Sequence, residues 1–124
     1  MGACGAIAMK SSKLEETLAV QLRALKIPFE REVVGLVTGR RFRVDFLIHK
    51  RLVVECQGGI WTKGGHSSGT GISRDCEKSA ELLCAGYPVI TCTMQQIQSG
   101  TVIEWIQRAI ENLQLARMDN EQAG

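Results

Sequence analysis

A chain of 124 residues is long enough for one domain with a single core that needs no staples. Its 44% hydrophobic and 23% charged residues exclude a disordered or collagen-like chain, and no apolar run reaches the roughly 18 residues of a membrane-spanning helix. Fifteen basic residues against thirteen acids give +2, too small a charge to mark a nucleic-acid binder by itself.

Residues 1–10 are read as a leader or flexible N-terminus, 11–116 as one domain and 117–124 as a flexible polar tail. The start lacks the basic n-region and long apolar stretch of a secretory signal. Gly2 opens no myristoylation motif, because Ala6 stands where Ser or Thr is needed. The cytoplasm is therefore the expected compartment, that of a bacterial host if the gene belongs to a phage.

Ser12-x-x-Glu15 reads as a capping box that starts a helix. Leu14, Leu18, Leu22 and Leu25 follow at helical spacing, and Pro28 closes the segment. A strand is expected over 31–37 and a turn at 38–40. Over 42–48, Val44, Phe46 and Ile48 alternate with Arg43 and Asp45, which predicts a second strand with the apolar set on one face. His49-Lys50-Arg51 is a short turn, and 52–57 a third strand. Residues 58–71 hold six glycines and read as a loop. A helix over 72–85 stops at Gly86. A fourth strand spans 88–93. A helix over 101–115 carries the stripe Val102, Trp105, Ile106, Ala109, Ile110 and Leu113, which packs on the sheet or on a second subunit in a homodimer.

Three strands joined by short turns pair antiparallel. The fourth, entered through a helix, is free to pair parallel. The predicted fold is α/β, a mixed central β-sheet flanked by helices in the order α-β-β-β-α-β-α.

Cys4, Cys56, Cys76, Cys84 and Cys92 are odd in number, and their spacings suit no standard zinc module. Buried thiols in a reducing cytosol are the expected state. From Arg40 to Lys78 there are eight basic residues and four acids. Such a locally basic stretch suits a phosphate-binding surface, and a solvated face accounts for it equally well.

Asp45 and Glu55 stand in otherwise apolar strands. If 49–51 is the loop, residue i pairs with residue 100−i, and the two carboxylates face each other about 5 Å apart. Like charges so close need neutralising, and a hard divalent cation does this with two carboxylates and water. The alternative is that each acid pairs with Arg43 or Arg41. Gln57 shares the face of Glu55, while Cys56 points away into the core. The glycine-rich loop lacks P-loop spacing. His66 within it is a general-base candidate or a solvated histidine. Asp75 and Lys78 lie one helical turn apart; Lys78 either reaches the two acids or forms a surface pair with Asp75.

At these residues the chain resembles the PD-(D/E)XK nuclease superfamily, nearest to its small very-short-patch-repair-like endonuclease domains of phages and prophages. The resemblance is carried by Asp45-Phe46, Val54-Glu55-x-Gln57-Gly58-Gly59, Trp61, Gly65-His66, Asp75-x-x-Lys78-x-x-x-Leu82 and Gly86-Tyr87-x-Val89, and covers residues 12–93. It implies a restriction-endonuclease-like fold and a Mg²⁺-dependent endodeoxyribonuclease in which Mn²⁺ substitutes. The metal ligands it implies are Asp45, Glu55, the backbone carbonyl of Cys56 and Glu15 on the first helix. His66 and Lys78 match positions near the scissile phosphate. Gln57 departs from the pattern, since Lys or an acid is usual there; Lys78 or Lys63 is then expected to supply the missing charge. Arg40, Arg41, Lys63 and Trp61 are the expected DNA contacts. A branched or mismatched DNA substrate, in phage recombination or repair, follows from the resemblance alone. A binding module on a decayed nuclease scaffold is the alternative that Gln57 favours, and an RNA nuclease is a third.

Overall fold

Pro28 separates the first helix from the first strand, and short turns then build a sheet in chain order. The computed structural model describes residues 2–57 and 69–116, with the backbone alone at 2–12, 69 and 70. Its elements are α1 (Gly2–Ala24), β1 (Phe29–Val34), β2 (Arg43–Ile48), β3 (Leu52–Gln57), α2 (Gly69–Cys84), β4 (Val89–Thr93), α3 (Met94–Gln98) and α4 (Thr101–Asn112). The sheet order is β1-β2-β3-β4. The first two pairings are antiparallel and the third is parallel. The α/β class and the mixed sheet with flanking helices agree with the expectation from sequence. Among the described residues no helix is long and apolar enough to cross a membrane.

The sheet has a core on each face. On one, α1, α3 and α4 cover Phe46, Ile48, Leu52, Val54 and Cys92, with Leu14, Leu18, Leu22, Val102 and Ile106 buried against them. On the other, Leu82 of α2 packs with Val44, Leu47 and Val53. Each fully buried Leu or Phe contributes about 1.5–3 kcal/mol through burial. Helix α4 is amphipathic and turns Val102 and Ile106 into the core.

Several expectations need correction. Helix α1 runs through Ser12, so Ser12 does not start it. Leu25 lies beyond the helix and is exposed, as is Leu113 at the end of α4; Leu115, just after the turn, fills the core instead. The chain contains an eighth element, α3, begun by a capping box in which Thr93 accepts from the Gln96 N–H and Gln96 reaches back to the Thr93 N–H. The order is thus α-β-β-β-α-β-α-α.

Val44 does not share a face with Phe46 and Ile48. It belongs to the α2-side core, they to the opposite one. The face switches at Asp45. Pairing of β1 with β2 passes from Arg31↔Phe46 to Val33↔Val44, and Glu32, between them, has φ +53°. A non-glycine residue in the left-handed region is uncommon inside a strand, and at this level of the sheet Val44 and Phe46, the neighbours of Asp45, point to opposite sides. The hairpin between β2 and β3 is closed by His49 and Lys50, both with positive φ, and by the Arg51 N–H donating to Ile48 O at 3.0 Å. Gly86, φ +98°, ends α2 as its position suggests, and its carbonyl accepts from Arg51.

Candidate functional site

The pairs Phe46↔Val54, Leu47↔Val53 and Ile48↔Leu52 follow the 100−i register. Beyond Phe46 the regular ladder gives way to side chains. The Asp45 N–H donates to Glu55 Oε2 at 3.0 Å, and the Cys56 N–H donates to Asp45 Oδ2 at 2.7 Å. Each carboxylate therefore takes a backbone proton from the opposite strand. β2 and β3 part here, and the two acids hold the gap.

Lys78 closes it from α2. Its Nζ lies 2.8 Å from Glu55 Oε1 and 2.6 Å from Arg43 O. The ammonium thus pairs with Glu55 rather than with Asp75, and neither Arg41 nor Arg43 neutralises the two acids. The Glu55 carboxyl is pushed above the usual carboxylate range, first by burial; Lys78 opposes the shift and the charge of Asp45 adds to it. Glu55, Gln57, Asp75, Lys78 and Thr91 line an open cavity of about 490 Å³ between α2 and the sheet. Gln57 and Lys78 accordingly face one space, as a shared role requires.

Glu15 of α1 comes to the same region from the other side of the sheet. Burial raises its carboxyl, Arg31 lowers it and Asp45 raises it again. Arg31 Nη2 lies 3.1 Å from Glu15 Oε1 and Nη1 lies 3.1 Å from Glu16 Oε1. The guanidinium also sits 5.5 Å from the centre of the Phe46 ring. Among the described residues no three His, Cys, Asp or Glu side chains converge as a ready-made metal cluster.

Cys56 points into the core beneath Asp45, and its Cα partner in β4 is Cys92. A hydrogen bond with Cys92, burial and the nearby Asp45 and Glu15 all push the Cys56 thiol up, so it is protonated. Its backbone takes part in the site through the N–H bond to Asp45.

Asp45 and Glu55 are two carboxylates at one strand end, Asp45 Oδ2 bonded to the Cys56 N–H and the two Glu55 oxygens bonded to the Asp45 N–H and Lys78; Mg²⁺ asks for one or two carboxylates with water and phosphate.

Two of the four expected DNA contacts, Arg40 and Arg41, lie among the described residues. Arg40 lies against α2, its Nη2 2.6 Å from Glu77 Oε2 and its guanidinium 4.4 Å from the centre of the Phe42 ring. Arg41 is exposed next to it. Trp61, Lys63, His66 and the expected tail at 117–124 lie outside the described residues.

Arg31 carries no mark in the sequence. The eight residues between β1 and β2 leave the register of the two strands open, so no pattern places it over Phe46. Comparison with known proteins returned no match: no family model, no characterised protein and no solved structure is significantly similar to the chain.

Proposed function

We propose that the protein is a metal-dependent endonuclease that hydrolyses DNA phosphodiester bonds. The observation that carries the reading is the parting of β2 and β3 at Asp45 and Glu55, with Lys78 of α2 set against the gap. The resemblance of these same residues to PD-(D/E)XK nucleases supports it.

Asp45 and Glu55, with the carbonyl of Cys56, are the residues that would hold Mg²⁺ or Mn²⁺. A bound dication supplies Lewis acidity and lowers the pKa of water. The protein supplies the rest. The backbone N–H groups of Asp45 and Cys56 fix the two carboxylates, so neither has to be ordered when substrate arrives. Lys78, movable on a flexible stem, places a positive charge where a phosphate entering the cavity develops negative charge. Gln57 hydrogen-bonds but brings no charge, so Lys78 takes the role often filled by a lysine at that strand position.

Supercoiled plasmid, single-stranded DNA and a four-way junction, each incubated with the protein in Mg²⁺ or EDTA, provide the test. Cleavage of at least one, abolished by EDTA, is expected. The second reading, a DNA- or protein-binding module without catalysis, is favoured by one observation: among the described cavity residues the one positive charge, Lys78, is already paired with Glu55. Retention of DNA with no cleavage in any metal would select it.

A further inference from the structure

Cys56 and Cys92 are Cα partners in the parallel pair β3–β4. Partners in register project to one side of a sheet, and both residues belong to the core beneath α1, α3 and α4. Both are free thiols; Cys92 is buried and Cys56 half-buried. Neighbouring strands lie about 4.8 Å apart, inside the Cα separation of about 4.4–6.8 Å that a disulfide spans. Cys76 and Cys84 are instead exposed on α2, over the opposite face. The pair also reaches the carboxylate gap. The Cys56 N–H donates to Asp45 Oδ2 at 2.7 Å, and Cys92 Sγ donates to Glu55 O at 3.6 Å.

We infer that Cys56 and Cys92 are a redox modification site, joined by a peroxide in a reversible disulfide that loosens the hold on Asp45. One sulfur gives up its proton and attacks hydrogen peroxide; S–O forms, O–O breaks and water leaves. The other sulfur gives up its proton and attacks the sulfenic acid so formed; S–S forms, S–O breaks and a second water leaves. The two thiols lose two electrons and two protons, and the peroxide gains them. Cys92 then has no S–H to give to Glu55 O. Cβ atoms that stand about a strand spacing apart must close to about 3.8 Å. Because β3 lies between β2 and β4, closure draws Cys56 away from Asp45. The displacement, about 1 Å, is comparable with the margin within which an N–H···O bond holds.

The inference needs only the two thiols and their register, and it stands apart from the proposed activity. The wild type and Cys4→Ser/Cys76→Ser/Cys84→Ser are treated with hydrogen peroxide, alkylated, digested and read by mass spectrometry, with circular dichroism to show the fold retained. A linked Cys56–Cys92 peptide, two hydrogens lighter than the reduced pair and released by dithiothreitol, is expected in both. Cys56 and Cys92 alkylated as free thiols after oxidation, or linked only to Cys76 or Cys84, would overturn the inference; the wild type decides this even if the triple variant fails to fold. Hydrogen exchange at the Cys56 N–H, read by NMR, is expected to be about tenfold faster in the oxidised wild type, the scale of one hydrogen bond to a charged group. Peroxide should leave it unchanged in Cys92→Ser. Equal exchange in the reduced and bridged wild type, or the same acceleration in Cys92→Ser, would overturn the effect on Asp45.

Discussion

Lys78 and Glu55 form a half-buried ion pair, Nζ to Oε1 2.8 Å, at the point where β2 and β3 separate. The same ammonium donates to Arg43 O at 2.6 Å, so one side chain ties α2 to both strands. Lys78 and Gln57 line the same cavity beside the pair.

Lys78→Met is expected to lower kcat about 10²–10³-fold, the scale of losing one preorganised donor. DNA binding should change far less, since one phosphate contact is a small share of a many-contact interface. Gln57→Lys/Lys78→Met should recover part of the lost rate, because both positions face one cavity. Single-turnover kinetics with a binding titration on the same DNA provide the check; wild-type turnover in Lys78→Met would take this residue out of the chemistry.

Mg²⁺ or Mn²⁺ should raise the thermal midpoint of the wild type and leave that of Asp45→Ala unmoved. A ligand that binds only the folded state adds about 2.7 kcal/mol at a hundredfold excess over Kd. Equal shifts in the two proteins would place the ion elsewhere.

The pH dependence has a definite sign. Burial, reinforced by Asp45 and opposed by Lys78, holds the Glu55 carboxyl above the ordinary range. The folded chain therefore keeps a proton that the unfolded chain has already released. The contribution of Glu55 to stability is full below the unfolded value and is lost as pH rises through the folded one. Glu15 is raised likewise and adds the same sign. The metal-free midpoint should fall with pH just above the usual carboxylate range, and more shallowly in Glu55→Gln. Mg²⁺ affinity should rise across the same window, because the ion displaces the proton. Parallel stability profiles for the two proteins would show that Glu55 is not the group responsible.

The 100−i pairing at the β2–β3 hairpin is legible in the amino-acid sequence alone, because three turn residues leave little choice of register. Asp45, Glu55 and Lys78 come with it, since acids in apolar strands are visible as breaks of pattern and Lys78 stands one helical turn after Asp75. The face switch at Asp45 is not legible: Val44 and Phe46 stand two apart, and strict alternation puts them on one face. Helix α3 does leave a signal, the Thr93-x-x-Gln96 capping box, but five residues are too short for a periodic pattern. Ser12-x-x-Glu15 has the same form inside a continuing helix, where the preceding residues extend the backbone ladder past it. Arg31 depends on pairing across a long loop, and its bonds to Glu15 and Glu16 appear only with α1 and β1 side by side.

The most direct test of the proposed activity is Mg²⁺-dependent cleavage of supercoiled plasmid by the wild type, Asp45→Asn and Glu55→Gln, with circular dichroism showing each folded. Both substitutions keep the shape of the side chain and remove one negative charge; in Glu55→Gln one of the two oxygens that accept from the Asp45 N–H and Lys78 is replaced by an NH₂ donor. A metal site on these two carboxylates predicts cleavage by the wild type and none by either variant; wild-type rates in a folded Asp45→Asn or Glu55→Gln protein would contradict it.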